Sequence, residues 1–148
     1  MGMQIDGPLA VDASGDRFIA PRDGSLCVCE WTGTEVFTLR VGAEVRPLAV
    51  VGDERILTVH RAETGFHLVS RSPVGARTLL TSPFPPERAI ASPAGRLIAL
   101  SIRCSAPPFA NECVVISEMG EILWRVAAIP SSWIGERFLL AAAQAAPN

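Results

Sequence analysis

The sequence predicts an all-β chain of repeated four-stranded antiparallel units, and three observations carry that prediction. First, four segments share a turn residue, an arginine and an apolar run. They are Gly15-Asp16-Arg17-Phe18-Ile19-Ala20, Asp53-Glu54-Arg55-Ile56-Leu57-Thr58, Gly95-Arg96-Leu97-Ile98-Ala99 and Gly135-Glu136-Arg137-Phe138-Leu139-Leu140, with arginines 38, 41 and 41 positions apart. Second, a downstream pattern of β-rich run, Gly turn and second run recurs. It reads Leu26-Cys27-Val28-Cys29 to Gly33 to Val36-Phe37-Thr38-Leu39, then Phe66-His67-Leu68-Val69 to Gly75 to Arg77-Thr78-Leu79-Leu80, then Cys113-Val114-Val115-Ile116 to Gly120 to Ile122-Leu123-Trp124. Third, the apolar runs are short and flanked by Gly and Pro, which disfavours amphipathic helices.

The units follow in order. Unit one spans about residues 8–46, and its Pro21-Arg22-Asp23-Gly24 is a tight turn, since Pro presets φ and Gly tolerates positive φ. Unit two spans 47–87, with Thr64-Gly65 in the same role. Unit three spans 88–130, and the partial unit 131–148 has room for two strands. A period near 40 with four strands per unit is the signature of a propeller blade. The predicted fold is a partial β-propeller of three four-stranded antiparallel blades plus a two-stranded remnant, one domain over 1–148. Turns at 12–16, 52–54 and 93–95 fall at one end with the Gly turns at 33, 75 and 120. The other end takes 21–25, 61–65 and 105–112, with the connections 41–46, 82–87 and 128–131. Residues 136–146 have high helix propensity, but alignment with earlier units favours a strand through about Ala141.

Ala91-Ser92-Pro93-Ala94-Gly95-Arg96-Leu97-Ile98-Ala99, followed by Val114-Val115-Ile116-Ser117-Glu118-Met119-Gly120-Glu121-Ile122-Leu123-Trp124, resembles a blade of the WD-repeat and TolB-like propellers. Those blades carry Ser-Pro-Asp-Gly-Lys, an apolar strand, a Val-x-Ile-x-Asp strand and a Gly turn. Here Ala94, Arg96 and Glu118 replace Asp, Lys and Asp. Asp23-Gly24-Ser25-Leu26-Cys27-Val28 through Thr32-Gly33-Thr34-Glu35-Val36 resembles a quinoprotein-type blade. The likeness covers about residues 8–127. No Trp-Asp dipeptide, Gly-His pair or sialidase-type Asp box occurs.

Composition narrows the function classes. The chain has 148 residues, 49% apolar before its 12 glycines are counted, which excludes disorder. Net charge is −2, so nothing electrostatic points to nucleic acid or an anionic membrane. No apolar run approaches the ~18–20 residues of a spanning helix, and Met1 to Pro8 lacks the basic and apolar regions of a signal peptide. The expected compartment is the cytoplasm.

The chemical inventory is thin. Cys27 and Cys29 share one face of a strand, without metal-knuckle spacing. Cys104 and Cys113 flank a loop and would sit opposite each other in a hairpin; four reduced thiols are the default for cytosol. His60 and His67 can approach across a hairpin with Glu63 in its loop, a weak metal site at best because metal sites usually take three or four ligands. No nucleophile–base motif, His-Glu-x-x-His helix or phosphate loop appears. Asp12, Asp16 and Asp23 fit turns. Arg17, Arg55, Arg96 and Arg137 are expected as a row of equivalent solvated side chains. Trp31 and Trp124 border Gly turns and are expected to pack between blades. No catalytic, cofactor or metal residues are assigned.

Two classes remain. The leading one is a non-catalytic propeller-type module offering a protein-interaction or assembly surface. The second is an enzyme or ligand-binding propeller whose centre is completed by a second chain; retained divalent metal would favour it. The interaction candidates are Phe109 in loop 105–112, Trp133, and Phe138 and Leu139 on the last strand. Trp133 fits an interface anchor or ordinary core. The uncharged run Phe138-Leu139-Leu140-Ala141 predicts a protein partner or self-association, as a homodimer, through the incomplete fourth unit. Capping by Met3-Gln4-Ile5 is the alternative.

Overall fold

Each strand is antiparallel to its chain neighbour within one of four sheets, in a computed structural model that describes residues 10–11, 16–42, 44–52, 54–104 and 110–143. Sheet 1 holds β1 (Ala10–Val11), β2 (Arg17–Arg22), β3 (Ser25–Glu30) and β4 (Glu35–Arg40). Sheet 2 holds β5 (Arg46–Val51), β6 (Arg55–Ala62), β7 (Gly65–Ser72) and β8 (Gly75–Ser82). Sheet 3 holds β9 (Pro86–Ala91), β10 (Leu97–Cys104), β11 (Ala110–Ser117) and β12 (Ile122–Val126). Sheet 4 pairs β13 (Ala128–Ile134) with β14 (Phe138–Ala143). No helix occurs among the described residues, and so none long and apolar enough to cross a membrane. The all-β prediction holds, with three four-stranded sheets and a two-stranded one.

Local sequence sets the turns. Asp23 (φ 47°) and Gly24 (φ 76°) are both left-handed between the paired residues Arg22 and Ser25. Two positive φ values in a two-residue loop match the twist of the flanking strands. The turn after the third strand repeats between units. Gly33 N–H donates to the Glu30 carbonyl at 2.9 Å and Gly120 N–H to the Ser117 carbonyl at 3.0 Å. Glu30 and Ser117 then donate to the carbonyls of Thr34 and Glu121.

The core lies between successive sheets. Ile19, Leu26 and Val28 of sheet 1 meet Val50 and Ile56 of sheet 2. Ala49, Val51, Leu57 and Leu68, on the other face of sheet 2, meet Ile98, Leu100, Val114 and Ile116 of sheet 3. Ala99, Cys113 and Val115 then meet Ala128, Trp133 and Leu139 of sheet 4. Side chains alternate across a strand, so Ile56 and Leu57 serve two interfaces. A sheet buried on both faces needs continuous rather than alternating apolar runs. Full burial of each Leu, Ile or Val contributes about 1.5–3 kcal/mol. The first strands neighbour one another across the stack, β1 by β5, β5 by β9 and β9 by β13. The described sheets do not form a closed ring.

Three sequence expectations need amendment. Arg55 does not join a solvated row; its guanidinium reaches Glu118 at 3.3 Å and the Gly95 carbonyl, linking sheet 2 to sheet 3. The last strand continues to Ala143, because β14 stays paired with β13 across a bulge between Pro130 and Ser132 as far as Ala128. The fourth sheet begins at Ala128 rather than at 131.

At Gly120 the turn between β11 and β12 of sheet 3 packs against Leu79 of sheet 2. A Cβ there would lie 2.6 Å from the Leu79 carbonyl oxygen, whereas a Cβ on Gly33 would meet nothing within 4 Å. Both glycines have left-handed φ, so both alanine variants carry a cost of about 1–2 kcal/mol. Gly120→Ala should lose about 1–3 kcal/mol more than Gly33→Ala through overpacking. Urea unfolding of both variants measures the difference, and equal losses would contradict the sheet 2–sheet 3 contact.

Candidate functional site

The candidate site is the incompletely covered side of sheet 3 together with sheet 4. Register fixes its geometry. Val115 pairs with Trp124 and Cys113 with Val126, so Trp124 and Val126 share the face of sheet 3 that meets sheet 4. β13 runs beside β9, β10 and β11. Among the described residues sheet 4 has two strands, and Trp124 and Val126 stay 43% and 42% exposed.

Equivalent positions in the other sheets act as an internal control. In sheet 1, Phe37 and Leu39 pair with Val28 and Leu26 and face sheet 2; both are half-buried. In sheet 2, Leu80 and Ser82 pair with Leu68 and Phe66; Leu80 is half-buried and Ser82 buried. Sheets 1 and 2 are each followed by four strands, sheet 3 by two.

The far face of sheet 4 is also apolar. Ile129, Ile134 and Leu140 point away from sheet 3, with Ile134 54% and Leu140 51% exposed. Among the described residues no strand pairs with the outer edge of β14. That edge reads Phe-Leu-Leu-Ala-Ala-Ala, without the charge or Pro that usually protects an edge. The opposite end of the stack differs. Phe18, Ala20, Cys27 and Cys29 are buried there. Beyond them β4 presents exposed Glu35, Thr38 and Arg40, and the Thr38 hydroxyl donates to the Glu35 carboxylate.

The sequence-derived candidates are placed unevenly. Trp133 and Leu139 are directly paired and pack together against Ala99, Cys113 and Val115. The Trp133 indole N–H donates to the Ile90 carbonyl at 2.8 Å, a bond that seats sheet 4 on β9. Phe138 pairs with Ile134 on β14. Phe109 lies outside the described residues. Sequence reasoning missed Ile122, Leu123, Trp124 and Val126 as a surface. The consecutive apolar run Ile122-Leu123-Trp124 was the available signal, since it fits a strand covered on both faces.

Trp31 and Trp124 do not pack between sheets as expected. Trp31 is 58% exposed and lies against Phe18, ring centroids 4.6 Å apart, on the side away from sheet 2. Trp124 is 43% exposed, with no third strand of sheet 4 among the described residues. Cys104 and Cys113 are not opposite each other either. Cys104 pairs with Ala110 and Cys113 with Ser101.

Cys29, Cys113 and His60 are shifted toward their uncharged forms. Cys27 and Cys29 share a face, Sγ atoms 3.2 Å apart. Burial, the Cys27 hydrogen bond and the charges of Cys27 and Glu35 push the Cys29 thiol up to about 12. Burial also raises Cys113. His60 and His67 face each other edge to face at 5.3 Å. His60 Nδ1 is buried without a hydrogen-bond partner. Burial, then the charges of His67 and Arg71, hold the His60 imidazole below its ordinary value. Among the described residues no group of three or more His, Cys, Asp or Glu is placed to hold a metal ion.

No protein-family model matches the chain, and neither does any curated protein.

Two predictions follow from the buried groups. Only the thiolate is nucleophilic, so Cys29 and Cys113 should resist iodoacetamide at pH 8 until the chain unfolds, and buried Cys27 should be shielded from the reagent as well. Peptide-level mass spectrometry reads this, and rapid labelling of Cys29 in the folded chain would contradict its burial. For His60, a lowered folded-state value means that the unfolded chain binds the proton more tightly. Stability is unaffected above the unfolded value of 6.5 and falls as pH drops through it toward the folded value. His60→Gln should flatten the decline in unfolding free energy between pH 7.5 and 5. An unchanged slope would remove His60 as its source.

Proposed function

We propose that this chain is a non-catalytic, propeller-type assembly module whose interaction surface is the sheet 4 side. One observation carries the proposal: positions half-buried or buried in sheets 1 and 2 are exposed in sheet 3, where they are Trp124 and Val126. Monomeric proteins seldom expose contiguous apolar surface of this kind, and larger patches mark interaction sites. The uncharged edge of β14 offers backbone groups for pairing beside that surface. Protein partners, self-association included, are the class of ligand such a surface takes. The buried free thiols support a reducing, cytoplasmic setting. The stacking of four-stranded sheets with adjacent first strands supports a propeller-type arrangement, and the WD-repeat and TolB-like likeness belongs with that proposal.

Carbene footprinting tests the assembly role without knowledge of the partner. Trp124, Ile134 and Leu140 should label strongly in the isolated chain. At native abundance in the cells it comes from, their labelling should fall by about threefold or more, as interface burial demands. Trp31 and Val74, exposed elsewhere, should label equally in both settings. Equal labelling of Trp124 in both settings would refute the proposal.

A further inference from the structure

We infer that a β-hairpin from outside residues 1–148 completes sheet 4. It adds to β14 as a third and fourth strand and covers Trp124 and Val126 of β12. The inference rests on the assembly reading and adds the identity of the occupant.

The chain supplies its own template. In sheets 1 to 3 the outer half is always a hairpin, β3–β4, β7–β8 or β11–β12, paired with the second strand of its sheet. In sheet 4 that second strand is β14, and its outer edge is open among the described residues. Trp124 and Val126 continue an interface that already exists, one strand outward from Cys113 and Val115, which meet Trp133 and Leu139. A hairpin in the third and fourth positions would extend that interface without moving any sheet.

The site defines the chemistry of the hairpin. Its first strand runs antiparallel to β14 and opposes a chargeless edge, so main-chain hydrogen bonds supply the pairing, as in strand addition. Side chains directed at sheet 3 must be apolar to cover Trp124 and Val126. Those on the other face continue the apolar surface of Ile129, Ile134 and Leu140. Such a hairpin is apolar on both sides, as β11 is with Cys113-Val114-Val115-Ile116.

A second copy of this chain fits less well. Two β14 strands can pair antiparallel only about a two-fold axis perpendicular to the merged sheet. That operation leaves the faces of the two strands pointing the same way. Both copies of sheet 3 would then crowd one face of a four-stranded sheet. The outer-half hairpins of a copy are already paired within its own sheets. Residues 1–9, the longest undescribed segment, are shorter than the 110–126 hairpin.

The probe is a synthetic peptide of residues 110–126 with Cys113→Ser, added unlabelled to the isotope-labelled full chain. Amide exchange at 139–143 should slow by about tenfold or more on saturation, as for a newly paired strand. The Trp124 indole resonance of the labelled chain should shift. Trp124→Glu, which replaces an exposed residue, should weaken peptide binding by about tenfold or more while leaving exchange in sheets 1 and 2 unchanged. A chain extended after Asn148 by a flexible linker and the same peptide raises its effective concentration and should show the same protection. If neither form slows exchange at 139–143, the hairpin inference falls, while in-cell protection of Trp124 would still uphold the assembly reading. Concentration-dependent dimers that protect 139–143 would assign the surface to a second copy. Protection of 139–143 in the free monomer would assign it to the chain's own residues. Either result overturns the inference.

Discussion

Every sheet in this chain depends on the next one for its core. Apart from the cluster of Phe18, Ala20, Cys27 and Cys29 on the outer face of sheet 1, the described cores lie between facing sheets. The sheets are single layers, and a single layer buries side chains only against a neighbour. Sheet 2 shows the constraint fully met: Val50 and Ile56 go to sheet 1, and Ala49, Val51 and Leu57 to sheet 3. Stability is therefore a chain of nearest-neighbour interfaces, as in other repeat architectures, and the outermost members decide what the surface looks like.

The two ends answer that constraint differently. At the sheet 1 end, exposed Glu35, Thr38 and Arg40 lie beyond the buried cluster of Phe18, Ala20, Cys27 and Cys29. At the sheet 4 end, the interface begins normally, with Trp133 bonded to Ile90 and Leu139 packed on Cys113 and Val115. It then stops one strand short. Trp124 and Val126 are left with the composition of a core and the exposure of a surface. The proposed function and the hairpin inference both come from that mismatch.

The groups most suggestive of chemistry are instead absorbed into packing. The paired thiols sit in an apolar cluster, where burial raises Cys29. The imidazole pair lies across a hairpin, with His60 held neutral by burial and by neighbouring positive charge. Arg71 donates to the buried Thr58 hydroxyl. Arg55 spans two sheets to Glu118.

The sequence by itself determined the strands, the turns and their order. Those features rest on local chemistry: short apolar runs, Asp23-Gly24 in a conformation that glycine and aspartate tolerate, and Gly33 and Gly120 recurring in the same turn. It also placed His60 opposite His67 and Cys27 beside Cys29, because period-two alternation and hairpin register are local. Tertiary structure alone decided which apolar residues became core. Leu100 and Leu140 look alike in sequence, yet one is fully buried and the other half exposed, because sheet 2 lies over the first and no described strand lies over the second. The same holds for Trp31, Trp124 and Trp133. Their burial depends on whether a facing sheet covers them and with how many strands, a quantity set across the whole stack rather than by any residue's neighbours in the chain.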